Sequence, residues 1–312
     1  MTRFSIGTAV GEGFGLIKRR PLSVFVWGLL TILPAAAAMG MMMPMMGTMM
    51  ESVVESAAHG DPGSMTMHNS MMAHMVQFQG IMAPLNAIRL VLGVVVYTAI
   101  IRAVVRPKES SFFSMRLSMD EVRVFVVSLA LIIGIVLSLI LLMLAGGALG
   151  AVLWQFVGPA KGLVTVLLVI ACVIGAMLVG GRLSLLVPAT VRFRTFAFAE
   201  GWNLGKGKSW SIVGVMLLLF LILIGIEIVI GGIAAGVILT LWGNSGFDPT
   251  IIADGGNPFE NLHGLARANW PWLAAGIVIG AMLYGMLTVI VTAPFASVVR
   301  QLSASDEPPA DH

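Results

Sequence analysis

The chain has 312 residues, of which 58% are hydrophobic and 11% are charged. Because soluble globular proteins carry roughly a quarter charged residues, this composition excludes an ordinary soluble domain. The formal net charge of +3 does not indicate nucleic-acid binding, since the basic residues flank apolar runs and form no basic face interleaved with aromatic residues. The single cysteine, Cys172, excludes a disulfide within the chain.

Six apolar runs are long enough to cross a bilayer, each meeting the requirement of about 20 residues for a hydrocarbon core of about 30 Å. They cover residues 22–46, 81–104, 124–147, 162–187, 211–241 and 272–299. The alternating segments of about 10 residues that are typical of barrel strands do not occur in the sequence. Since backbone groups in lipid must be satisfied internally, we predict an all-α, polytopic membrane protein with six transmembrane helices.

The first run follows Lys18-Arg19-Arg20 and contains four consecutive alanines from Ala35, an arrangement that also suits a cleaved secretory signal. The same basic-then-apolar order recurs from Lys206 to Phe220, where no signal peptide can lie. We therefore expect the first helix to remain in the mature protein.

Basic residues concentrate in one set of connecting segments. All but three of the 18 lysines and arginines lie in 1–21, in 102–123, in 182–209 or after 299. The segments 47–80 and 243–271, on the other side, carry most of their charge as Asp and Glu. The positive-inside rule therefore predicts that both termini are cytoplasmic.

Two similar amphipathic phrases, GEGFGLIKRR (Gly11–Arg20) and AEGWNLGKGK (Ala199–Lys208), each precede a long apolar run. A weaker version is SFFSMRLSMDEVR (Ser111–Arg123). Each phrase is predicted to form a helix along the inner membrane surface. The predicted apolar face of the first helix, which starts before its phrase, is Ile6, Val10, Phe14 and Ile17. That of the middle one is Phe112, Met115 and Met119. The basic residues expected to contact anionic lipid headgroups are Lys18, Arg19, Arg20, Lys206 and Lys208.

We therefore predict three tandem units of one membrane domain, each made of an interfacial helix and a transmembrane hairpin. The units are residues 1–107, 108–190 and 191–303, followed by a disordered tail at 304–312. The first unit includes a methionine-rich outer loop between its two spans. Pro107, Pro188 and Pro294 are expected to stop or bend the second helix of each hairpin. Chance similarity between amphipathic segments is the alternative to a true repeat.

Four stretches together resemble a family of bacterial six-helix integral membrane proteins. They are Glu200-Gly201-Trp202, Lys208-Ser209-Trp210, Arg182 to Pro188, and Arg116 to Arg123. That family is similar to the membrane domain fused to some glycerophosphodiester phosphodiesterases. The resemblance implies a bacterial inner-membrane protein that contacts lipids. We expect no hydrolase activity, because no catalytic barrel follows the membrane helices before His312.

Methionine is strongly enriched between Met39 and Met75, which hold 13 of the 22 methionines in the chain. Thioether sulfur and imidazole suit Cu(I), so a soft-metal site outside the membrane is one hypothesis. Its candidate ligands are Met65, Met67, His68, Met71, Met72, His74 and Met75. The alternative is that these methionines are packing material, since Met39, Met42, Met43, Met46 and Met50 form a helical stripe.

Arg89 and Glu227 lie well inside predicted spans, where ionisable groups usually pair or line a polar path. We expect an intramembrane ion pair between them, with a transport or proton path and independent snorkelling as alternatives. Asn86, one turn before Arg89, is placed to share hydrogen bonds.

No recognisable catalytic constellation occurs in the sequence, and we predict a protein that is not an enzyme. Gly207-Lys208-Ser209 is no phosphate loop, because Trp202 stands where that motif needs glycine. The first functional hypothesis is therefore an inner-membrane protein that organises lipids or partner proteins, with a homo-oligomer as one possibility. Transport through Arg89 and Glu227 and copper binding are the alternatives. We expect membrane lipids as partners, no nucleic acid and no cofactor other than the Cu(I) of that alternative.

Overall fold

A computed structural model describes residues 4–58, 65–109, 112–115, 118–156, 161–244 and 270–304. Throughout these ranges the regular structure is helical, and no β-strand occurs in them. The helices are α1 (Ile6–Arg19), α2 (Pro21–Ala58), α3 (Met65–Val105), α4 (Met119–Phe156), α5 (Lys161–Leu183), α6 (Leu186–Phe193), α7 (Phe198–Leu204), α8 (Ser209–Asn244) and α9 (Trp270–Ala304). The predicted all-α class is confirmed.

Six stretches of these helices are long and apolar enough to cross a membrane. They are Pro21–Met42, Met75–Val105, Met119–Val152, Gly162–Phe193, Ser209–Ile233 and Leu273–Ala304. Each overlaps one predicted span, so the number and order of the spans are confirmed for the described part of the chain. The protein is a multi-pass membrane protein.

The methionine-rich region is largely helical, whereas the sequence predicted an outer loop there. Helix α2 continues to Ala58 and α3 begins at Met65, so that only residues 59–64 between them lie outside the described ranges. The physical reason is that Met and Ala are strong helix formers, which lets both helices extend beyond the thickness of the hydrocarbon core.

The middle amphipathic phrase also differs from its prediction as an interfacial helix. It contains a short 3₁₀ turn at Phe112–Ser114, in which Phe113 and Ser114 have positive φ angles of 52° and 57°. Helix α4 starts soon afterwards, at Met119, and continues directly into its span. The left-handed turn interrupts the helical backbone before an interfacial helix can form.

The chain forms two compact units, and both are discontinuous in sequence. One, called the terminal unit here, contains Met1–Arg20, Tyr97–Leu221 and Val289–His312. The other, called the hairpin unit, contains Pro21–Val96 and Ile222–Thr288. These bounds do not coincide with residues 107 and 190, where the three repeats were predicted to meet. The three-fold repeat stays a prediction.

In the hairpin unit, α2 and α9 touch backbone to backbone. A methyl group added at Gly28 would lie 1.8 Å from the carbonyl oxygen of Ala281, and one added at Gly285 would lie 2.1 Å from that of Val24. Small residues allow such close approach between membrane helices.

In the terminal unit, α1 packs against protein through the face formed by Ala9, Val10, Gly13 and Leu16. A methyl group added at Gly13 would lie 3.3 Å from Cα of Ile290 in α9, and Ile6 reaches α8 beside Gly214. The predicted membrane-facing set is therefore only partly correct, because Val10 is buried while Phe14 stays 47% exposed. Contact with α9 rotates α1 away from the orientation expected on lipid alone.

Candidate functional site

The most buried charge in the described chain is Arg102, in the last turn of α3, whose side chain is 2% exposed. Its guanidinium donates to Oε1 of Glu121 at 2.7 Å, to the carbonyl oxygen of Ser114 at 3.0 Å and to Oγ of Ser118 at 3.2 Å. Asp120 Oδ2 lies 3.5 Å away. A buried charge is tolerated when it is paired and its remaining donors are satisfied, and Arg102 meets both conditions.

The partners of Arg102 are held in place by the start of α4. Ser118-Met119-Asp120-Glu121 has the spacing of a capping box, in which the third residue of the helix reaches back to the capping residue. Oε2 of Glu121 accepts from the backbone N–H of Ser118 at 2.9 Å and from its hydroxyl at 2.6 Å. Both acidic side chains lie in the first helical turn, where the helix dipole favours negative charge.

Arg106 extends this network to α6. Its guanidinium donates to Oδ2 of Asp120 at 2.6 Å, to the carbonyl oxygen of Val191 at 2.6 Å and to Oε2 of Glu109 at 3.2 Å. Among the described residues, the buried Nε atom of Arg106 has no hydrogen-bond partner. Arg106 therefore joins the ends of α3 and α6 to the start of α4.

Glu109 closes the network at its solvent side, between Arg106 and the more exposed Arg194. Burial by itself would raise the pKa of the Glu109 carboxyl, but the charges and hydrogen bonds of these two arginines outweigh that effect and lower it. We refer to Arg102, Arg106, Glu109, Asp120, Glu121, Arg123 and Arg194 together as the ionic network.

A second, smaller ion cluster fastens α1 to α9 and α3. Glu12 accepts from Arg300 at 2.8 Å and also pairs with Arg19, while Arg300 donates to the carbonyl oxygen of Val104 at 2.9 Å. Burial raises the pKa of Glu12, but hydrogen bonds and charge from Arg300 and Arg19 more than compensate, so the pKa lies below its usual value. Sequence spacing gives no signal for the Glu12–Arg300 pair.

The predicted headgroup-binding residues are distributed over two sites of the terminal unit. Lys18, Arg19 and Lys206 are exposed, whereas Arg20 and Lys208 are half-buried. Arg20 donates to Oγ of Ser114 at 2.8 Å, and so it also connects α1 to the 3₁₀ turn. The two matching phrases do not share one environment, because Glu12 is paired and its counterpart Glu200 is exposed.

Exposed aromatic residues accompany these cations. They are Phe14, Phe193, Phe196, Phe198, Trp202 and Trp210. The guanidinium carbon of Arg182 lies 5.2 Å from the centre of the Trp202 ring, and its Nε donates to Oγ of Ser209 at 2.8 Å. Aromatic rings of this kind suit the headgroup level of a bilayer. We use the name basic aromatic surface for Lys18, Lys206, Lys208 and these aromatic residues, which belong to two separate segments of the terminal unit, α1 and residues 193–210.

The structure shows no ion pair between Arg89 and Glu227. Both side chains belong to the described part of the hairpin unit and both are exposed, and no ion pair there includes either of them. The ion pair expected within one chain is therefore not formed. Asn86 is likewise exposed.

The candidate copper ligands all lie on the first turns of α3. The side chains of Met65, Met67, His68, Met71 and His74 lie outside the described residues. Met72 and Met75 are 54% and 52% exposed. Copper binding by this segment stays a prediction.

Sequence reasoning missed the ionic network, although two signals for it are present. Arg102 and Arg106 are one turn apart at the end of a span, and S-x-x-E at Ser118–Glu121 is typical of a helix start. The sequence predicts an interfacial helix over Ser111–Arg123, which contains this capping box, and the structure instead begins α4 there.

No protein-family model, curated protein or solved structure matches the chain. The resemblance to a membrane domain found beside glycerophosphodiester phosphodiesterases is untested by these comparisons and stays a prediction. What is established is a multi-pass, all-α membrane protein whose helix ends are joined by a buried ionic network.

Proposed function

We propose that this chain is a non-enzymatic protein of the bacterial inner membrane that binds anionic lipid headgroups through its basic aromatic surface. In this proposal both termini and the basic aromatic surface face the cytoplasm, as the positive-inside rule requires. Lipid binding there would let the protein organise the surrounding membrane or a partner protein.

The proposal rests on a difference between the basic residues of the terminal unit, in which arginines form ion pairs and three lysines do not. The arginines of the ionic network and Arg300 are paired with carboxylates. None of the ion pairs among the described residues includes Lys18, Lys206 or Lys208. The arginines therefore stabilise the fold, while these lysines keep their charge available for an anionic ligand.

The neighbouring aromatic residues support a membrane surface as the source of that ligand. Trp202 and Trp210, 37% and 69% exposed, lie just before and at the start of α8, which enters a span. Their rings suit the boundary between headgroups and hydrocarbon, which places the nearby Lys206 and Lys208 at phosphate level. Each lysine close to an anionic surface contributes about 1 kcal/mol.

The test is lipid selection by the protein in bilayers that contain phosphatidylglycerol and phosphatidylethanolamine. The triple variant Lys18→Gln/Lys206→Gln/Lys208→Gln should lose retained phosphatidylglycerol by about tenfold or more, measured by mass spectrometry of the purified protein. The triple Lys→Arg variant is the matched control and should retain it. Undiminished phosphatidylglycerol in the glutamine variant would refute the proposal.

A further inference from the structure

We propose that Arg89 of one copy of this chain pairs, inside the membrane, with Glu227 of a second copy. This inference is independent of lipid binding at the basic aromatic surface. It starts from two opposite charges that the chain holds within apolar spans and leaves exposed.

Neither charge can leave the hydrocarbon by sliding its helix. Ile212 to Trp242 contains no charged residue besides Glu227, and every stretch of about 20 residues within that run includes it. Gly80 to Ile101 likewise contains only Arg89, and every stretch of about 20 residues there includes that arginine. Ionisable residues at such positions almost always face a partner, because exposure to lipid is costly.

The helix bounds place the two charges at similar distances along their helices from a helix end. Arg89 precedes the end of α3 at Val105 by about 24 Å of helix, and Glu227 follows the start of α8 at Ser209 by about 27 Å. Both helix ends belong to the terminal unit, and the two helices run in opposite directions from them. The difference of about 3 Å is well within the reach of an arginine side chain.

Each charge has a small residue one turn away on its own helix. Gly93 follows Arg89 by four residues and Gly231 follows Glu227 by four, and an added methyl group at either glycine would meet nothing within 4 Å. Positions four residues apart share a helix face. When α3 of one copy packs antiparallel to α8 of another, with the charges opposed, Leu223 falls opposite Gly93 and Leu85 opposite Gly231. This match of large to small residues suits close packing between membrane helices.

A second copy is favoured over another occupant by charge complementarity. Each chain supplies one cation and one anion at similar distances along two of its spans, so two copies can satisfy each other without leaving a charge in lipid. In a two-fold dimer, this contact forms twice, since residue i meets residue j and j meets i. A foreign partner would have to present both charges at the same depth.

The decisive experiment co-expresses two differently tagged single variants, Arg89→Glu and Glu227→Arg. Each variant expressed alone places like charges opposite each other, and its self-association in bilayer nanodiscs should fall about tenfold or more relative to wild type. Together the two variants restore opposite charges at both contacts, so mixed complexes should form at the wild-type level. Failure of the mixture to associate, or association of either variant alone, would overturn the proposal.

A cross-linking experiment keeps the proposal testable if a charge variant does not fold. In a Cys172→Ser background, one tagged copy carries Asn86→Cys and the other carries Ile230→Cys. Each position is about one turn from its charge, Asn86 before Arg89 and Ile230 after Glu227, so the two oppose each other in the antiparallel pairing. Oxidation should join the two differently tagged chains. The control replaces Asn86→Cys by Leu167→Cys, which is 56% exposed on α5 within the span Gly162–Phe193, and should give little product.

Two outcomes of the cross-linking would overturn the proposal. One is the absence of the mixed product while a doubly substituted chain, Asn86→Cys/Ile230→Cys, oxidised in parallel forms its bond internally, which would show an intramolecular pair. The other is a product that joins Asn86→Cys only to a foreign protein, which would show that a different partner covers this face.

Discussion

Arg102 and Glu121 form an ion pair of 2.7 Å with side chains that are only 2% and 7% exposed. The pair joins the end of one span to the start of the next, across the segment that contains the left-handed 3₁₀ turn. Because both charges are removed from water, removing either partner would leave the other charge buried and unpaired, which is very costly. The pair therefore ties the end of α3 to the start of α4.

Replacing Arg102 by methionine should destabilise the protein by about 3–5 kcal/mol, because the carboxylates of Asp120 and Glu121 would remain buried without it. Thermal unfolding in detergent or nanodiscs measures the loss. The matched control is Arg194→Met, whose side chain is 59% exposed and whose removal should cost about 1 kcal/mol or less. Equal losses of stability in the two variants would show that burial does not determine how much these ion pairs stabilise the protein.

The attachment of α1 to α9 should weaken at acid pH. The pKa of Glu12 is lowered in the folded protein from its usual 4.5, so the carboxylate contributes stability that is complete above that value. This contribution is lost as the pH falls from 4.5 through the lowered pKa, when the carboxyl protonates and the Arg300 pair is lost. Hydrogen exchange of α1 amides between pH 6 and pH 3 measures the change. In the Glu12→Gln variant, α1 should be weakly attached at both pH 6 and pH 3. If that variant kept the pH profile of the wild type, Glu12 would not be the group responsible.

Substituting Gly28 by alanine should disrupt the contact between α2 and α9. The new methyl group would lie 1.8 Å from a backbone oxygen that no side-chain motion can displace. We expect a loss of about 1–3 kcal/mol or more from overpacking, seen as a lower unfolding temperature. Gly40→Ala is the control on the same helix, because nothing lies within 4 Å of its added methyl group. That control should be neutral or slightly stabilising.

Membrane topology can be tested by cysteine labelling in a Cys172→Ser background. A cysteine at position 108, next to the ionic network, should react with an impermeant maleimide only after the inner membrane is opened. A cysteine at position 62, in the methionine-rich region, should react in spheroplasts with intact inner membranes. The reverse pattern would invert the orientation and remove the cytoplasmic assignment of the basic aromatic surface.

The amino-acid sequence by itself determined the class of this protein, because transfer of an apolar segment into lipid depends on that segment alone. All six spans were predicted from runs of local hydrophobicity, and the basic flanks followed from counting charges. Helix ends were less predictable, because the end of an apolar run marks the membrane boundary and not the end of the helix, which Met and Ala continue beyond it.

Only the tertiary structure decided which charges meet. Glu12 and Arg300 are 288 residues apart, and their 2.8 Å contact depends on how α1 lies against α9. The same packing buries Ala9 and Gly13 and leaves Phe14 exposed. Arg89 and Glu227 show the opposite case. Their charges predict an ion pair within one chain, and the structure shows no such pair. Pairing is a property of relative helix position, which periodicity and composition do not encode.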